Sequence, residues 1–165
     1  SERRQYFGEN NENVNKKTKV ALKAGLFPIV CVGEKLAERE SGKTLEVVRD
    51  HVVNGLNDIT AEQIQDCIIA YEPVWAIGTG KNATPQQAQE VHKFIRGLLS
   101  EIYSEEIASL VRIQYGGSVT SENIASLMEM PDFDGALVGG ASLKIDAFSE
   151  IVRKSSEVKK RCMHY

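Results

Sequence analysis

The sequence has little cysteine, no long apolar run and almost no charge imbalance, and each shortage removes a class of protein. Cysteine occurs three times, at Cys31, Cys67 and Cys162, far apart and with neither a CxxC pair nor a metal-ligand spacing. Such a sparse, odd set excludes a disulfide scaffold and a zinc module, and reads as reduced thiols in the cytoplasm. No apolar run approaches the roughly 20 residues that span a membrane, and the opening Ser1-Glu2-Arg3-Arg4-Gln5-Tyr6-Phe7 is not a signal peptide. Lys and Arg number 20 against 23 Asp and Glu, a net charge of −3. That balance gives no reason to expect nucleic acid or an anionic membrane as a partner. Repeats and low-complexity tracts are missing too, which excludes collagen and coiled coil. What remains is 165 residues, 42% apolar and 26% charged, the size and composition of one globular domain.

Within it, short apolar runs alternate with longer amphipathic segments. Strands are predicted at 27–32 (FPIVCV), 67–71 (CIIAY), 111–115 (VRIQY) and 135–138 (GALV). The first two are near-continuous apolar runs, as expected of strands covered on both faces. Helices are predicted at 13–24, stopped by Gly25, at 44–56, at 84–103, at 121–128 and at 146–159. The third has the clearest start: Thr84-Pro85-Gln86-Gln87 supplies an N-cap, a proline at the first helical position and a capping-box glutamine. Val91, Phe94, Ile95, Leu98, Leu99 and Ile102 then recur at helical spacing, predicting one buried face. The α, β, α, β order, with about two dozen residues or more between strands, implies parallel strands with helical crossovers. Two architectures fit, an open doubly wound sheet or part of a (β/α)8 barrel.

In either architecture function collects just after the C-terminal strand ends. Those positions read Gly33-Glu34, Glu72-Pro73-Val74-Trp75, Gly116-Gly117-Ser118 and Gly139-Gly140. Glu72 follows its strand directly. Beside Pro73, Trp75 and Ile77 a carboxylate can be desolvated, which strengthens it as a proton acceptor near neutrality. The competing reading is a solvated glutamate at a strand end. Residues 76–83 form a loop with small residues and an apolar tip, able to close over a ligand, and Gly78 and Gly80 leave their N–H groups open to a phosphate. Gly78-x-Gly80-x-x-Ala83 imitates a dinucleotide fingerprint, but it begins six residues after the strand and no acidic residue ends the next one. Gly42-Lys43-Thr44 imitates a P-loop tail, but the required upstream glycine is Ala37. Two glycine pairs at equivalent strand ends, the first with Ser118 as an added donor, favour a phosphate cradle over plain tight turns. His51 and His92 fall inside helices and His164 in the tail, so surface or packing roles are expected of them.

The run Ala70-Tyr71-Glu72-Pro73-Val74-Trp75-Ala76-Ile77-Gly78-Thr79-Gly80 resembles the signature of the triosephosphate isomerase family. Ser1-Glu2-Arg3-Arg4, Cys31-Val32-Gly33-Glu34, Tyr115-Gly116-Gly117-Ser118 and Val138-Gly139-Gly140-Ala141-Ser142-Leu143 match that family in order and approximate spacing. The resemblance implies a parallel (β/α)8 TIM barrel, represented by the helix after strand four and units five to eight, with residues 1–165 as the C-terminal part of one barrel domain. It implies an aldose–ketose isomerase of glycolysis and gluconeogenesis that interconverts dihydroxyacetone phosphate and glyceraldehyde 3-phosphate. Glu72 is then the base and Glu2 a carboxylate close to the catalytic machinery. Gly78, Ser118, Gly139 and Gly140 match the phosphate-gripping positions. Pro73, Val74 and Trp75 match the first lid hinge, Ala76, Ile77, Thr79 and Gly80 the lid, Lys81-Asn82-Ala83 the second hinge, and Tyr115 with Ser118 the latch. Arg4, Tyr6, Phe7 and Glu9 match a loop that supports the barrel and the dimer contact, so a cytoplasmic homodimer is implied. No cofactor or metal is implied, since this proton transfer needs only a base and polarising donors. The family's catalytic histidine stands immediately before Ser-Glu-Arg-Arg, and its lysine follows the first strand. Neither is in this chain, so the chain alone is expected to be inactive. The alternative is a non-catalytic phosphate-binding or folding fragment of the same barrel.

Overall fold

The computed structural model describes residues 1–77 and 82–159 in full and the backbone of 160–162. Four short strands, β1 (Ile29–Val32), β2 (Ile68–Tyr71), β3 (Arg112–Tyr115) and β4 (Gly135–Ala136), form one sheet in the order β1-β2-β3-β4, every pair parallel. A doubly wound sheet reverses its strand order at a switch point, and this sheet does not. Consecutive parallel neighbours joined through helices are the pattern of a barrel wall, and the chain folds as part of a TIM barrel. In register, Val32, Tyr71 and Tyr115 stand side by side at the C-terminal end. The ladder runs on past the strands, with Gly116 N–H donating to the Tyr71 carbonyl at 2.8 Å and Leu137 N–H to the Tyr115 carbonyl at 2.9 Å.

The helices are α1 (Glu2–Tyr6), α2 (Asn11–Lys23), α3 (Leu36–Glu40), α4 (Thr44–Gly55), α5 (Ala61–Ile64), α6 (Pro85–Ile102), α7 (Glu105–Leu110), α8 (Ile124–Met128) and α9 (Ile145–Cys162). The capping box of α6 forms as predicted, Gln87 N–H donating to Thr84 Oγ1 at 3.1 Å and Thr84 N–H to Gln87 Oε1 at 3.0 Å. Its buried face differs from the predicted stripe. Val91, Ile95, Leu98 and Leu99 are buried, but Ile102, in the last turn, is 41% exposed. Phe94 is only half-buried, under the Arg49 guanidinium 5.5 Å above its ring. His92 takes the place in the core instead, stacked on Phe133 at 3.9 Å with its Nδ1–H donating to the Asp132 carbonyl at 3.1 Å.

The core lies between the sheet and these helices. Val30, Val32, Ile69, Tyr71, Ile113 and Tyr115 point into it with Val48, Val52, Val91 and Ile95. The opposite face carries Cys31, Ala70 and Gln114 in register. Coverage of both faces is therefore uneven along β1, where Ile29 is 43% exposed while Val30 and Val32 are buried. Arg96 ties the C-terminal half together, its Nη1 donating to the Ala108 carbonyl at 2.7 Å and its Nη2 to Asp134. The same Asp134 oxygen accepts from the Ile113 N–H at 2.8 Å.

Candidate active site

The C-terminal strand ends enclose one side of a cavity of about 720 Å³ whose lining includes Glu2, Glu72, Ile77, Gly116, Gly117, Ser118, Gly139, Gly140 and Lys144. Glu72 reaches its mouth because β2 ends at Tyr71 and the next peptide still hangs on the sheet, Glu72 N–H donating to the Val32 carbonyl at 2.8 Å. Its side chain is 16% exposed, with Oε2 accepting from the Ser1 backbone nitrogen at 3.0 Å and from Ser1 Oγ at 3.1 Å.

Two glycines make room for this residue. A Cβ on Gly33 would stand 1.8 Å from the Glu72 carbonyl oxygen, and one on Gly116 would stand 2.6 Å from Glu72 Cγ. Glycine at these strand ends is thus required by the approach of the glutamate, above any need of the turns themselves. Gly139 and Gly140, by contrast, have nothing within 4 Å of an added Cβ, so their backbone faces open space beside the cavity. The 116–120 loop is fixed from below by Asn123, which donates Nδ2–H to the Ser118 carbonyl at 3.0 Å and accepts from Thr120 N–H at 2.9 Å.

Behind Glu72 lies a second carboxylate, and it is fully buried. Glu34 accepts from Tyr71 Oη–H, 3.1 Å from each carboxylate oxygen, and from the Trp75 indole N–H at 2.9 Å. Arg39 Nη1 stands 3.6 Å away. Burial, then the Glu34 charge, pushes the Tyr71 hydroxyl well above the ordinary phenol range, so it stays a donor. Cys31 sits next to Glu72. Burial and then that carboxylate push its thiol up to about 12, which keeps it protonated and non-nucleophilic near neutrality. Among the described residues, no group of three or more His, Cys, Asp or Glu is arranged to hold a metal ion. No described helix is long and apolar enough to cross a membrane.

A family model described as triosephosphate isomerase matches residues 1–155. The chain belongs to the triosephosphate isomerase family. It is similar to the triosephosphate isomerase of Chloroherpeton thalassium, 58% identical over 155 residues covering 94% of this chain and 62% of that protein. It is similar at 61% to that of Carboxydothermus hydrogenoformans and at 59% to that of Endomicrobium trichonymphae, with the same two coverages. This chain thus spans about three-fifths of the length of these triosephosphate isomerases.

Set against that family, the predicted site residues largely come together. Glu72, Glu2, Ser118, Gly139, Gly140 and Ile77 line one cavity. Val74–Ala76 forms a single 3-10 turn in which Ala76 is buried, and Tyr115 is buried one residue before the Gly116-Gly117 pair. Gly78, Thr79, Gly80 and Lys81 lie outside the described residues, as do the side chain of Cys162 and His164. Sequence reasoning assigned no role to Ser1, Asn123 or Arg39. Ser1 contacts Glu72 across 71 positions, and no spacing rule announces such a pair. Asn123 was more accessible, since an asparagine three residues after Thr120 is an ordinary loop-capping signal.

Proposed function

We propose that this chain carries the base and phosphate cradle of a triosephosphate isomerase, as the C-terminal part of a single barrel domain. Glu72 takes a proton from the carbon next to the carbonyl of dihydroxyacetone phosphate, leaving an enediol(ate). The same carboxyl returns a proton to the neighbouring carbon while the C1 hydroxyl proton passes to the C2 oxygen through groups supplied by the rest of the barrel, giving glyceraldehyde 3-phosphate with no net change in atoms or electrons. The phosphate is held by backbone N–H groups at Gly139 and Gly140 and by Ser118, with Gly78 as a fourth contact. Residues 76–83 act as a lid hinged at Pro73, Val74 and Trp75 and latched through Tyr115. Glu2 is a carboxylate at the rim of the same site.

What carries this reading is the approach of Glu72 to Gly116 at the mouth of a cavity whose other walls are Ser118, Gly139 and Gly140. The groups that polarise the carbonyl, a lysine and a histidine in this family, are not in this chain, so it is inactive by itself and acts with the remainder of the barrel. That whole protein is a cytoplasmic homodimer in this reading. Those missing electrophiles also favour a second reading for the chain alone, a phosphate-binding fragment without turnover. Titration with inorganic phosphate, followed by amide NMR, tests the cradle. The amides of Ser118, Gly139 and Gly140 are expected to shift together and saturably. No shift at Gly139 and Gly140 refutes the phosphate assignment.

A further inference from the structure

Arg39 lies outside the cavity, in no motif, yet it joins two groups that govern the turn after Glu72. Its guanidinium stands 3.6 Å from Glu34 Oε1 and 5.7 Å from the centroid of the Trp75 ring. Among the described residues, Glu34 holds the indole at its N–H edge (2.9 Å) and Arg39 lies over its face. Trp75 belongs to the Val74–Ala76 turn that directly follows Glu72-Pro73. The backbone of that stretch hangs on the end of β1 through Glu72 N–H to the Val32 carbonyl and Val74 N–H to the Glu34 carbonyl, the latter at 3.0 Å. Glu34 thus holds the turn by backbone and side chain together, and Arg39 is the charged group beside its buried carboxylate.

We propose that Arg39 is a positioning residue: by clamping Glu34 and Trp75 together it fixes the turn that presents Glu72 to the cavity. Its consequence for catalysis rests on the reading of Glu72 as the base, but the clamp stands on its own contacts. Arginine suits both halves of the task. A buried carboxylate is destabilised without a paired cation, which Arg39 supplies as an ion pair while Tyr71 and Trp75 supply the hydrogen bonds. A planar guanidinium also sits over an aromatic face while keeping its charge. Lysine offers a point charge without the stacking plane.

The sequence contains one tryptophan, so the indole N–H resonance and indole fluorescence report this residue alone. In the 165-residue chain, R39M is expected to move the indole N–H signal and the Glu72 amide signal, and to raise acrylamide quenching about twofold as the indole face opens. R39K is expected to restore less than half of each change. In a W75F background, R39M is expected to leave the Glu72 amide nearly where W75F alone puts it, because the lever is gone. If R39M does not fold, R39K carries the test, with the same direction of change in all three signals. An indole signal, quenching and Glu72 amide that stay at wild-type values in a folded Arg39 variant overturn the proposal. Inorganic phosphate titration of the wild-type chain separates the two claims. Absent shifts at Gly139 and Gly140 with an intact Arg39 response sink the site reading and leave the clamp standing.

Discussion

His92 should make the fold acid-sensitive well above the pH at which carboxylates titrate. It is fully buried, stacked on Phe133 at 3.9 Å and edge-on to Tyr71 at 6.0 Å, and its Nδ1–H is spent on the Asp132 carbonyl. Burial, the largest influence, drives its pKa from 6.5 down to about 4. The folded pKa is lowered, so between those values the unfolded chain binds the proton first. Stability is intact above pH 6.5, is lost as pH falls through the window to about 4, and loses nothing further from this group below it. The shift corresponds to about 3 kcal/mol over the whole window, roughly 2 of it gone by pH 5. That is a large share of a typical domain's margin. Urea denaturation of wild type and His92→Phe at pH 7.5 and pH 5 measures it. A phenyl ring in place of the imidazole keeps the stack and cannot be charged, so the variant should lose about 2 kcal/mol less than wild type between the two conditions. Equal losses, or a His92 ring signal that titrates near 6.5, would refute the reasoning.

Other expectations follow from the same contacts. Gly33→Ala puts a methyl group 1.8 Å from the Glu72 carbonyl oxygen, a backbone clash that should destabilise by about 3 kcal/mol or more in urea melts and displace the Glu72 amide signal; a wild-type melt would contradict it. Tyr71→Phe deprives the buried Glu34 of a donor held 3.1 Å from both its oxygens, for an expected loss of about 2 kcal/mol by the same assay. Leu26, Phe27, Leu143 and Ile145 are all more than 60% exposed, so the chain by itself should self-associate with rising concentration in sedimentation runs. A monodisperse monomer at high concentration would count against that.

The barrel segment was legible because its signals are local. Four apolar runs at crossover spacing, the Thr84-to-Gln87 box and Gly25 in the left-handed region (φ +73) each declare themselves within a few residues. The short helices escaped for the opposite reason. Thr60 and Gln63 make the same reciprocal cap as Thr84 and Gln87, but α5 is too short to display an apolar period, and Ser104 heads α7 under the same handicap. Ile102 fits the periodic stripe and is exposed all the same, since periodicity gives the direction of a side chain and says nothing of whether a neighbour lies there. In the site, Glu72 and the glycine pairs could be placed because strand ends are sequence-visible. Glu34 could be placed at its strand end too, but its complete burial could not. A carboxylate at a strand end is normally solvated, and its donors Tyr71 and Trp75 come from 37 and 41 positions away. The Ser1–Glu72 contact is hidden in the same way, since only the tertiary fold brings together residues 71 positions apart.

If Glu72 is an isomerase base, it works only when the rest of the barrel is supplied. The most direct measurement is dihydroxyacetone phosphate turnover by the chain alone, by the chain joined to the preceding segment of a similar triosephosphate isomerase, and by the joined form carrying Glu72→Gln. No turnover is expected from the first and measurable turnover from the second. In the third, a drop of about a hundredfold or more is expected, the usual effect of losing a general base. Turnover by the chain alone, or an E72Q form keeping more than about a tenth of the joined activity, would contradict the assignment.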